Sequence, residues 1–217
     1  MTRDVRYWNR VSGRPYDVLE RMMSPVMFGR LIVRALGLRP GDRVLDLGCG
    51  TGMNLPALRE AIGGDGYLHA VDYSPGMVIK ARARVDRHGW DNVTVEHGDA
   101  TALELAPSGF DAVLASFSIS ATQDVPATVD NIHSVLRPGG RLFAADMRLV
   151  PQGFSAPVIW TLGRIYRLFA RWTGVDVLDT VRTRFGETEL VNGEGKRLTR
   201  LPPAAPIVLM VAGKHPA

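Results

Sequence analysis

The sequence has little cysteine, little lysine and no long apolar run. Its single cysteine, Cys49, excludes an internal disulfide and a zinc site built from several cysteines. No apolar stretch reaches the roughly 18 residues that a membrane-spanning helix needs, and the opening MTRDVRYWNR lacks the basic-then-apolar pattern of a secretory signal. We therefore expect a cytoplasmic protein. Its 217 residues predict one domain with a substantial core.

Lysine is so rare that the basic character comes almost entirely from arginine. Lys80, Lys196 and Lys214 are the only lysines among 26 basic residues. The net charge is +4 and the pI is about 9.6. Two interpretations of the arginine excess stay open. It reflects compositional bias of the genome, or it favours an anionic partner such as an acidic substrate, a membrane surface or a nucleic acid.

Strand-like and helix-like segments alternate through the middle of the chain. The patterns predict strands at 44–47, 67–71, 93–96, 110–115 and 141–145, and helices at 55–62, 75–85 and 125–136. Five such alternations predict an α/β fold with a doubly wound, mostly parallel sheet and helices on both faces. Further strands near 187–200 and 207–212 bring the sheet to about seven strands. The sequence from 175 to 186 has no clear pattern.

The stretch VLDLGCGTG (44–52) runs from an apolar strand into Gly48, Gly50 and Gly52. Three glycines within five residues favour a ligand-binding loop, because the backbone can turn sharply and approach a ligand closely. The dinucleotide fingerprint is G-x-G-x-x-G, but Met53 occupies the position of its third glycine. No Gly-Lys-Ser/Thr follows, so a P-loop is excluded as well.

Two acids narrow the choice of ligand. Asp46 precedes the loop, where a carboxylate would repel a diphosphate but suit an ammonium or sulfonium group. Asp72 lies 20 residues beyond Gly52, at the end of the second strand. A carboxylate there can accept hydrogen bonds from both hydroxyls of a ribose. The ligand therefore has a ribose and a positive charge but no pyrophosphate, which S-adenosylmethionine satisfies. An NAD-dependent enzyme is the physically possible alternative that Met53 and Asp46 oppose.

Over residues 40–147 the sequence resembles the class I S-adenosylmethionine-dependent methyltransferases. Five segments carry the resemblance in the order of that family's motifs: VLDLGCGTG, AVDYSPGM (70–77), EHGDA (96–100), FDAVLASFSIS (110–120) and LRPGGRLFAADM (136–147). It implies a Rossmann-like fold, methyltransferase activity, S-adenosylmethionine as cofactor and no metal. The cofactor-binding residues that it implies are Asp46, Gly48, Cys49, Gly50, Gly52, Asp72, Tyr73, Met77, Asp99, Ala100, Ser116 and Tyr16.

Within that family the pattern is most similar to the ubiquinone/menaquinone C-methyltransferase branch and to its small-molecule and lipid-headgroup relatives. The Tyr16-Asp17 pair belongs to this likeness, whereas the C-terminal third departs from it. The residue pattern predicts helices within residues 1–40, one of them from Pro25 to Leu36. The resemblance makes this region a helical lid ahead of a cofactor-binding core at 41–150. Residues 151–217 are expected to supply a helical insertion after the fifth strand and the closing strands.

Several residues are candidates for the chemistry of methyl transfer. Methyl transfer is an in-line displacement that needs a base only when the acceptor must lose a proton. Asp146, at the end of the fifth strand, is expected to face the cleft as a base or as a partner for a cationic amine; alternatively it caps the next segment. Arg148 is expected to bind an anionic group, or else to be solvated.

The fourth motif limits the acceptor. Enzymes that methylate nucleobase amino groups or glutamine amides resemble one another in an Asn/Asp-Pro-Pro-aromatic element there. This chain has ASFS at 115–118 instead, which argues against those acceptors. Ser118 is then a further candidate on the substrate side.

The segment PVIWTLGRIYRLFARWTG (157–174) has the period of a helix. Trp160, Arg164, Arg167 and Arg171 lie along one of its faces. It is either a packed helix with solvated arginines or a lid that binds an apolar, negatively charged substrate or an anionic membrane surface. The substrate-side candidates are therefore Ser118, Arg148, Trp160 and Arg164.

These observations predict methyl transfer to a small, hydrophobic or lipid-like molecule: a quinone, a phospholipid headgroup or a secondary metabolite. Peripheral contact with a membrane is part of this hypothesis. Nucleic acid is disfavoured as a partner, because no stacking or groove-binding motif accompanies the arginines. The alternatives are an RNA or protein methyltransferase, or a cofactor-binding protein of this fold without methyl transfer.

Overall fold

The structure is a computed structural model that describes residues 25–106, 108–148, 157, 160, 161, 163, 164, 173–201 and 206–215. The helices are α1 (Pro25–Leu36), α2 (Leu55–Ile62), α3 (Pro75–His88), α4 (Val125–Val135) and α5 (Val177–Phe185). The strands are β1 (Arg43–Leu47), β2 (Tyr67–Asp72), β3 (Val93–His97), β4 (Phe110–Ser116), β5 (Leu136–Met147), β6 (Thr188–Val191), β7 (Arg197–Leu198) and β8 (Ile207–Gly213). A short 3₁₀ helix spans Ile119–Ala121.

The strands form one sheet in the order β3-β2-β1-β4-β5-β8-β6-β7. β1 to β5 are parallel, whereas β8 pairs antiparallel with β5 and β6. Because β1 pairs with both β2 and β4, the chain order reverses between β1 and β4, and ligands of doubly wound sheets bind at this position. The predicted α/β fold with its mostly parallel sheet is confirmed.

Helices cover both faces of the sheet, and the strand alternation explains the two apolar layers. Val44, Leu114 and Phe143 pack on one face with α1, α2 and α3. The adjacent residues Leu45 and Val113 point to the other face, where α4 and α5 lie. Residues of parallel strands buried on both faces read as continuous apolar runs, which is how β1 and β4 appear in the sequence.

Local sequence signals explain where the helices around the cleft begin. The Ser74 side chain accepts a hydrogen bond from the backbone of Met77, and Pro75 follows at the start of α3. Asp124 caps α4 in the same way by accepting from Ala127 N. These starts matter because both helices follow loops at the carboxyl edge of the sheet.

The C-terminal region differs in detail from the expected pattern. The strand predicted near 187–200 is a hairpin of β6 and β7, so the sheet has eight strands among the described residues. Asn192 makes the turn, because its Oδ1 accepts hydrogen bonds from Glu194 N and Lys196 N. The unassigned stretch 175–186 contains α5, whose first turn is capped by Asp176.

The helix predicted from Pro25 to Leu36 has those bounds in α1. Its apolar face is buried, with Ile32 fully enclosed and the Phe28 ring packed edge-on against Phe143. Residues 1–24, including the predicted lid residue Tyr16, lie outside the described residues. In the part of the chain that the structure describes, no helix combines the length and apolarity needed to cross a membrane.

Candidate functional site

The glycine loop after β1 folds over the carboxyl end of β2. Gly48 N and Cys49 N donate to Val71 O at 2.8 and 3.1 Å. Gly48, Gly50 and Gly52 have φ values of 72°, 58° and 78°. All three lie in the left-handed region that favours glycine, so the backbone of this loop requires the G-x-G-x-G spacing.

Asp72 connects this loop to α3. Its Oδ2 accepts a hydrogen bond from Gly50 N, and its Oδ1 accepts one from Ser74 N, both at 2.8 Å. Burial raises the pKa of the Asp72 carboxyl, and the two backbone hydrogen bonds oppose that rise. The acid predicted for a ribose therefore lies directly beside the glycine loop.

Asp46 has a different environment, although it comes from the neighbouring strand. Its side chain is fully buried, and neither carboxylate oxygen has a hydrogen-bond partner among the described residues. Burial, with a further contribution from the Asp72 charge, raises the pKa of Asp46 to about 7. A buried, unpartnered carboxylate is costly, and a ligand cation beside it would offset that cost. The residues present thus fit a ligand with a sulfonium and an ammonium group.

The predicted adenine-side residues lie on the loops after β2 and β3. The Tyr73 ring stacks on His97 at 6.1 Å between centroids, and Met77 is buried at the start of α3. Asp99 is exposed, with Oδ1 accepting hydrogen bonds from the Thr101 backbone and hydroxyl at 2.8 and 2.7 Å. The adjoining Ala100 packs partly buried against the core.

Sequence reasoning missed His97. The pairing of parallel strands could have found it, because His97 is opposite Asp72 in the β2–β3 register. His97 therefore lies beside Asp72 and Tyr73, two residues for which the resemblance implies cofactor binding.

The turn that follows β4, here called the β4 turn (residues 117–120), approaches the glycine loop closely. Ser116 ends the strand, and Phe117 has φ 53°, in the left-handed region that a bulky residue rarely adopts. A Cβ placed on Gly48 would lie 2.3 Å from Ser118 Cβ. Ser118 therefore packs into the space that a side chain at position 48 would need. The Ser118 hydroxyl oxygen is buried and has no hydrogen-bond partner among the described residues.

Asp146 was expected to face the cleft, but its carboxylate is fully buried and hydrogen-bonded within the protein. Oδ1 accepts from the Ser120 hydroxyl and from Met147 N, and Oδ2 accepts from Ser120 N at 3.0 Å. Burial raises the pKa of Asp146, and the Ser120 hydrogen bonds oppose the rise. A base must reach the proton that it removes, and the oxygens of this buried carboxylate already accept three hydrogen bonds from the protein.

Arg148 is neither solvated nor free to hold an anion through its Nε. That atom lies 3.1 Å from Asp176 Oδ2, and both side chains are largely buried. Asp176 is also the cap of α5, so the pair fixes the end of β5 to the start of that helix.

The other predicted residues differ in how far the structure describes them. Cys49 is buried, and burial raises the pKa of its thiol well above the ordinary value, as suits a small filler of the loop. Trp160 is 57% exposed, and the Arg164 guanidinium lies 5.0 Å from the centre of its ring. Arg167 and Arg171 lie outside the described residues. No group of three His, Cys, Asp or Glu side chains in the described ranges could hold a metal ion.

A comparison with protein families supports the cofactor chemistry. A family model described as a methyltransferase domain matches residues 44–140, the region that contains the glycine loop, Asp72 and the β4 turn. The chain is a class I S-adenosylmethionine-dependent methyltransferase. The predicted family and its cofactor, S-adenosylmethionine, are therefore confirmed.

Two relatives and one solved structure are similar to this chain beyond the matched domain. The methyltransferase is 28% identical over 173 residues to a demethylmenaquinone methyltransferase of Geobacillus kaustophilus, covering 77% of this chain and 69% of the relative. It is 36% identical over 143 residues to one of Beutenbergia cavernae, covering 64% of this chain but only 56% of the relative. A crystal structure of an S-adenosylmethionine-dependent methyltransferase from Aquifex aeolicus has the same fold, with a TM-score of 0.62 and 21% identity over 88% of this chain and 93% of that one.

Proposed function

We propose that this methyltransferase transfers the methyl group of S-adenosylmethionine to a ring carbon of a quinone-type small molecule. The observation that carries the proposal is the extent of similarity to the demethylmenaquinone methyltransferase of Geobacillus kaustophilus. That alignment covers 173 residues, which is longer than the methyltransferase region 44–140. It therefore includes segments outside that region, and we take the similarity of these segments as support for a shared class of acceptor.

We assign the cofactor contacts residue by residue. Asp46 is proposed to face the cationic methionine end, because its two buried oxygens lack partners. Asp72 is proposed to accept from the ribose hydroxyls: each of its oxygens accepts one backbone hydrogen bond, and a carboxylate oxygen can accept two. Tyr73 and Asp99 are the proposed neighbours of the adenine.

The main task of the protein in this reaction is to align the methyl donor with the acceptor. S-adenosylmethionine supplies an electrophilic methyl group on a sulfonium. The ring carbon of a reduced quinone is electron-rich because of its hydroxyl groups, so it can attack the methyl group before any carbon-bound proton is removed. The new carbon–carbon bond forms as the carbon–sulfur bond of the sulfonium breaks, S-adenosylhomocysteine leaves, and the proton on the methylated ring carbon is then lost to water as the ring regains aromaticity. Holding donor and acceptor in line at attack distance then supplies much of the rate. This agrees with Asp146, the predicted base, being enclosed and hydrogen-bonded to Ser120.

The substrate side of the proposal rests on Trp160 and Arg164. An exposed tryptophan carrying a guanidinium on its ring combines apolar area with positive charge. We propose that this pair contacts the acceptor or the anionic membrane surface in which an apolar acceptor dissolves. Ser118 is the candidate nearest the glycine loop, whereas the Asp176 pairing makes Arg148 a weaker candidate for an anion.

The test uses methyl-labelled S-adenosylmethionine with demethylmenaquinone in reduced and oxidised form. In parallel, anionic phospholipid vesicles, total RNA and total protein serve as acceptors. We expect label in the reduced quinone and little in the oxidised form, and none with Asp72→Ala, which removes a proposed cofactor contact. Label in RNA or protein would overturn the proposal. No label in any pool, with intact binding of S-adenosylhomocysteine, would favour a cofactor-binding protein without methyl transfer.

A further inference from the structure

The β4 turn is attached to β5 at two adjacent positions. Phe117 N donates to Ala145 O at 2.6 Å. Ser120 donates through both its backbone amide and its hydroxyl to the carboxylate of Asp146. Both Ser120 and Asp146 are fully buried, so water cannot replace these hydrogen bonds when one partner is removed.

The turn needs such attachment because its backbone is strained. Phe117, at φ 53°, occupies the left-handed region, which is strained for a bulky residue. A strained conformation persists only where surrounding contacts outweigh its cost. The Asp146 carboxylate supplies two of those contacts, and both hold Ser120, three residues beyond Phe117.

The strained turn determines the position of Ser118 against the glycine loop. Gly48 and Ser118 are so close that even one added carbon on Gly48 would overlap Ser118 Cβ, at 2.3 Å. A displacement of the turn towards the loop would therefore displace Gly48. A displacement away would open a gap beside Gly48, next to the buried Ser118 hydroxyl.

We propose that Asp146 is a positioning residue for the cofactor loop: acting through Ser120, it holds the β4 turn so that Ser118 stays packed against Gly48. The role concerns cofactor binding and alignment. It therefore does not depend on which acceptor the enzyme methylates, and it differs from the role of a base.

An asparagine cannot take over this role. Asp146 Oδ1 and Oδ2 both face donors, namely the Ser120 hydroxyl, Ser120 N and Met147 N. An amide side chain would place its NH₂ group, itself a donor, against Ser120 N in one orientation and against Met147 N in the other, since only the Ser120 hydroxyl can also accept. Asp146→Asn therefore keeps the side-chain shape, loses at least one of these three hydrogen bonds and weakens the attachment of the turn, while Ser120→Ala removes only the hydroxyl.

The experiment measures the Kd of S-adenosylhomocysteine by calorimetry, well below each variant's melting temperature. We expect Asp146→Asn and Ser120→Ala each to weaken binding by about tenfold, the effect of losing one hydrogen bond to a charged group. The Kd of the double variant should exceed that of the weaker-binding single variant by no more than about threefold, because both substitutions act through one attachment. Ser120→Thr, which restores the hydroxyl, should bind more tightly than Ser120→Ala.

The matched control is Asn92→Ala. Asn92 Nδ2 donates to Gly63 O and Gly66 O at the opposite edge of the sheet, so its loss should lower the melting temperature and leave the Kd within about twofold. Wild-type affinity in Asp146→Asn and Ser120→Ala, with melting temperatures lowered as in Asn92→Ala, would overturn the proposal. Loss of kcat in Asp146→Asn at unchanged cofactor affinity would also overturn it and indicate a base. If Asp146→Asn does not fold, Ser120→Ala decides alone.

Discussion

The backbone amide of Gly50 donates a hydrogen bond of 2.8 Å to Oδ2 of Asp72. The other oxygen of the same carboxylate accepts from Ser74 N, at the start of α3. Asp72 therefore orders the glycine loop and the α3 start, in addition to its proposed contact with the ribose. Its removal should affect the cofactor site through the protein as well as through the ligand.

Substitution of Asp72 tests this double role. Asp72→Ala leaves Gly50 N and Ser74 N without their acceptor and removes the proposed ribose contact. Hydrogen bonds to charged groups contribute about 1.5–3 kcal/mol each, so we expect the Kd of S-adenosylhomocysteine to rise by at least about 100-fold, measured by calorimetry. Asp86→Ala, which removes an exposed carboxylate of α3, is the control and should bind normally. Unchanged affinity in Asp72→Ala would refute the proposed cofactor geometry.

The buried Asp46 predicts a pH dependence of stability. Its pKa in the folded protein is about 7, whereas in the unfolded chain it is about 3.9. Between these values the folded protein holds a proton that the unfolded chain has released. The contribution of Asp46 to the free energy of unfolding is therefore fully present below about pH 4 and declines as the pH rises to about 7. Asp46→Asn should remove this decline and should be more stable than wild type at pH 8, as urea unfolding at several pH values would show.

The same carboxyl group should link cofactor binding to proton release. A cationic ligand favours the charged form of Asp46, so S-adenosylmethionine should bind more tightly as pH rises through about 7. Calorimetry in buffers of different ionisation enthalpy should detect the released proton near pH 6, and Asp46→Asn should not release it. Equal binding enthalpies in all buffers for the wild type would contradict a neutral Asp46 in the free protein.

The glycine loop and Asp72 could be predicted from the sequence because their geometry is local. Positive φ at Gly48, Gly50 and Gly52 follows from the residue type and the strand-to-helix turn. The parallel order of β1 and β2 then places Asp72 beside the loop. Helix α5 was missed, although Asp176 at its cap was a usable signal.

The environments of Asp146 and Arg148 could not be predicted in the same way. Each partner is distant in sequence: Ser120 is 26 residues from Asp146, and Asp176 is 28 residues from Arg148. A charged residue at the carboxyl end of a parallel strand is expected to lie near the ligand-binding cleft. Whether it faces the cleft depends on which remote side chain the fold places against it, and spacing in the sequence does not contain that information.

The pairing of Arg148 with Asp176 predicts a structural effect of substitution. Both side chains are largely buried, so we expect a coupling of about 1 kcal/mol between Arg148→Met and Asp176→Asn in a double-mutant cycle of urea unfolding. Asp176→Asn should keep much of the α5 cap, since asparagine is also a good capping residue. Additive effects, together with a KM for the acceptor that rises only in Arg148→Met, would instead indicate that Arg148 binds an anionic substrate.

The contact between Gly48 and Ser118 can be tested by a substitution and its compensation. Gly48→Ala combines a left-handed backbone, which costs a residue with Cβ about 1–2 kcal/mol, with overlap of Ser118, at about 1–3 kcal/mol. Ser118→Gly removes the overlapping carbon, so the double variant should recover part of the loss in the free energy of unfolding and in cofactor affinity. Gly89→Ala is the matched control, because Gly89 has φ 64° and no atom within 4 Å of the added carbon.

Equal losses in Gly48→Ala and Gly89→Ala, with no recovery from Ser118→Gly, would mean that backbone strain alone explains the glycine at position 48. Recovery confined to the double variant would show that the β4 turn and the glycine loop share one packed contact, because Ser118 is the side chain that the added carbon would meet.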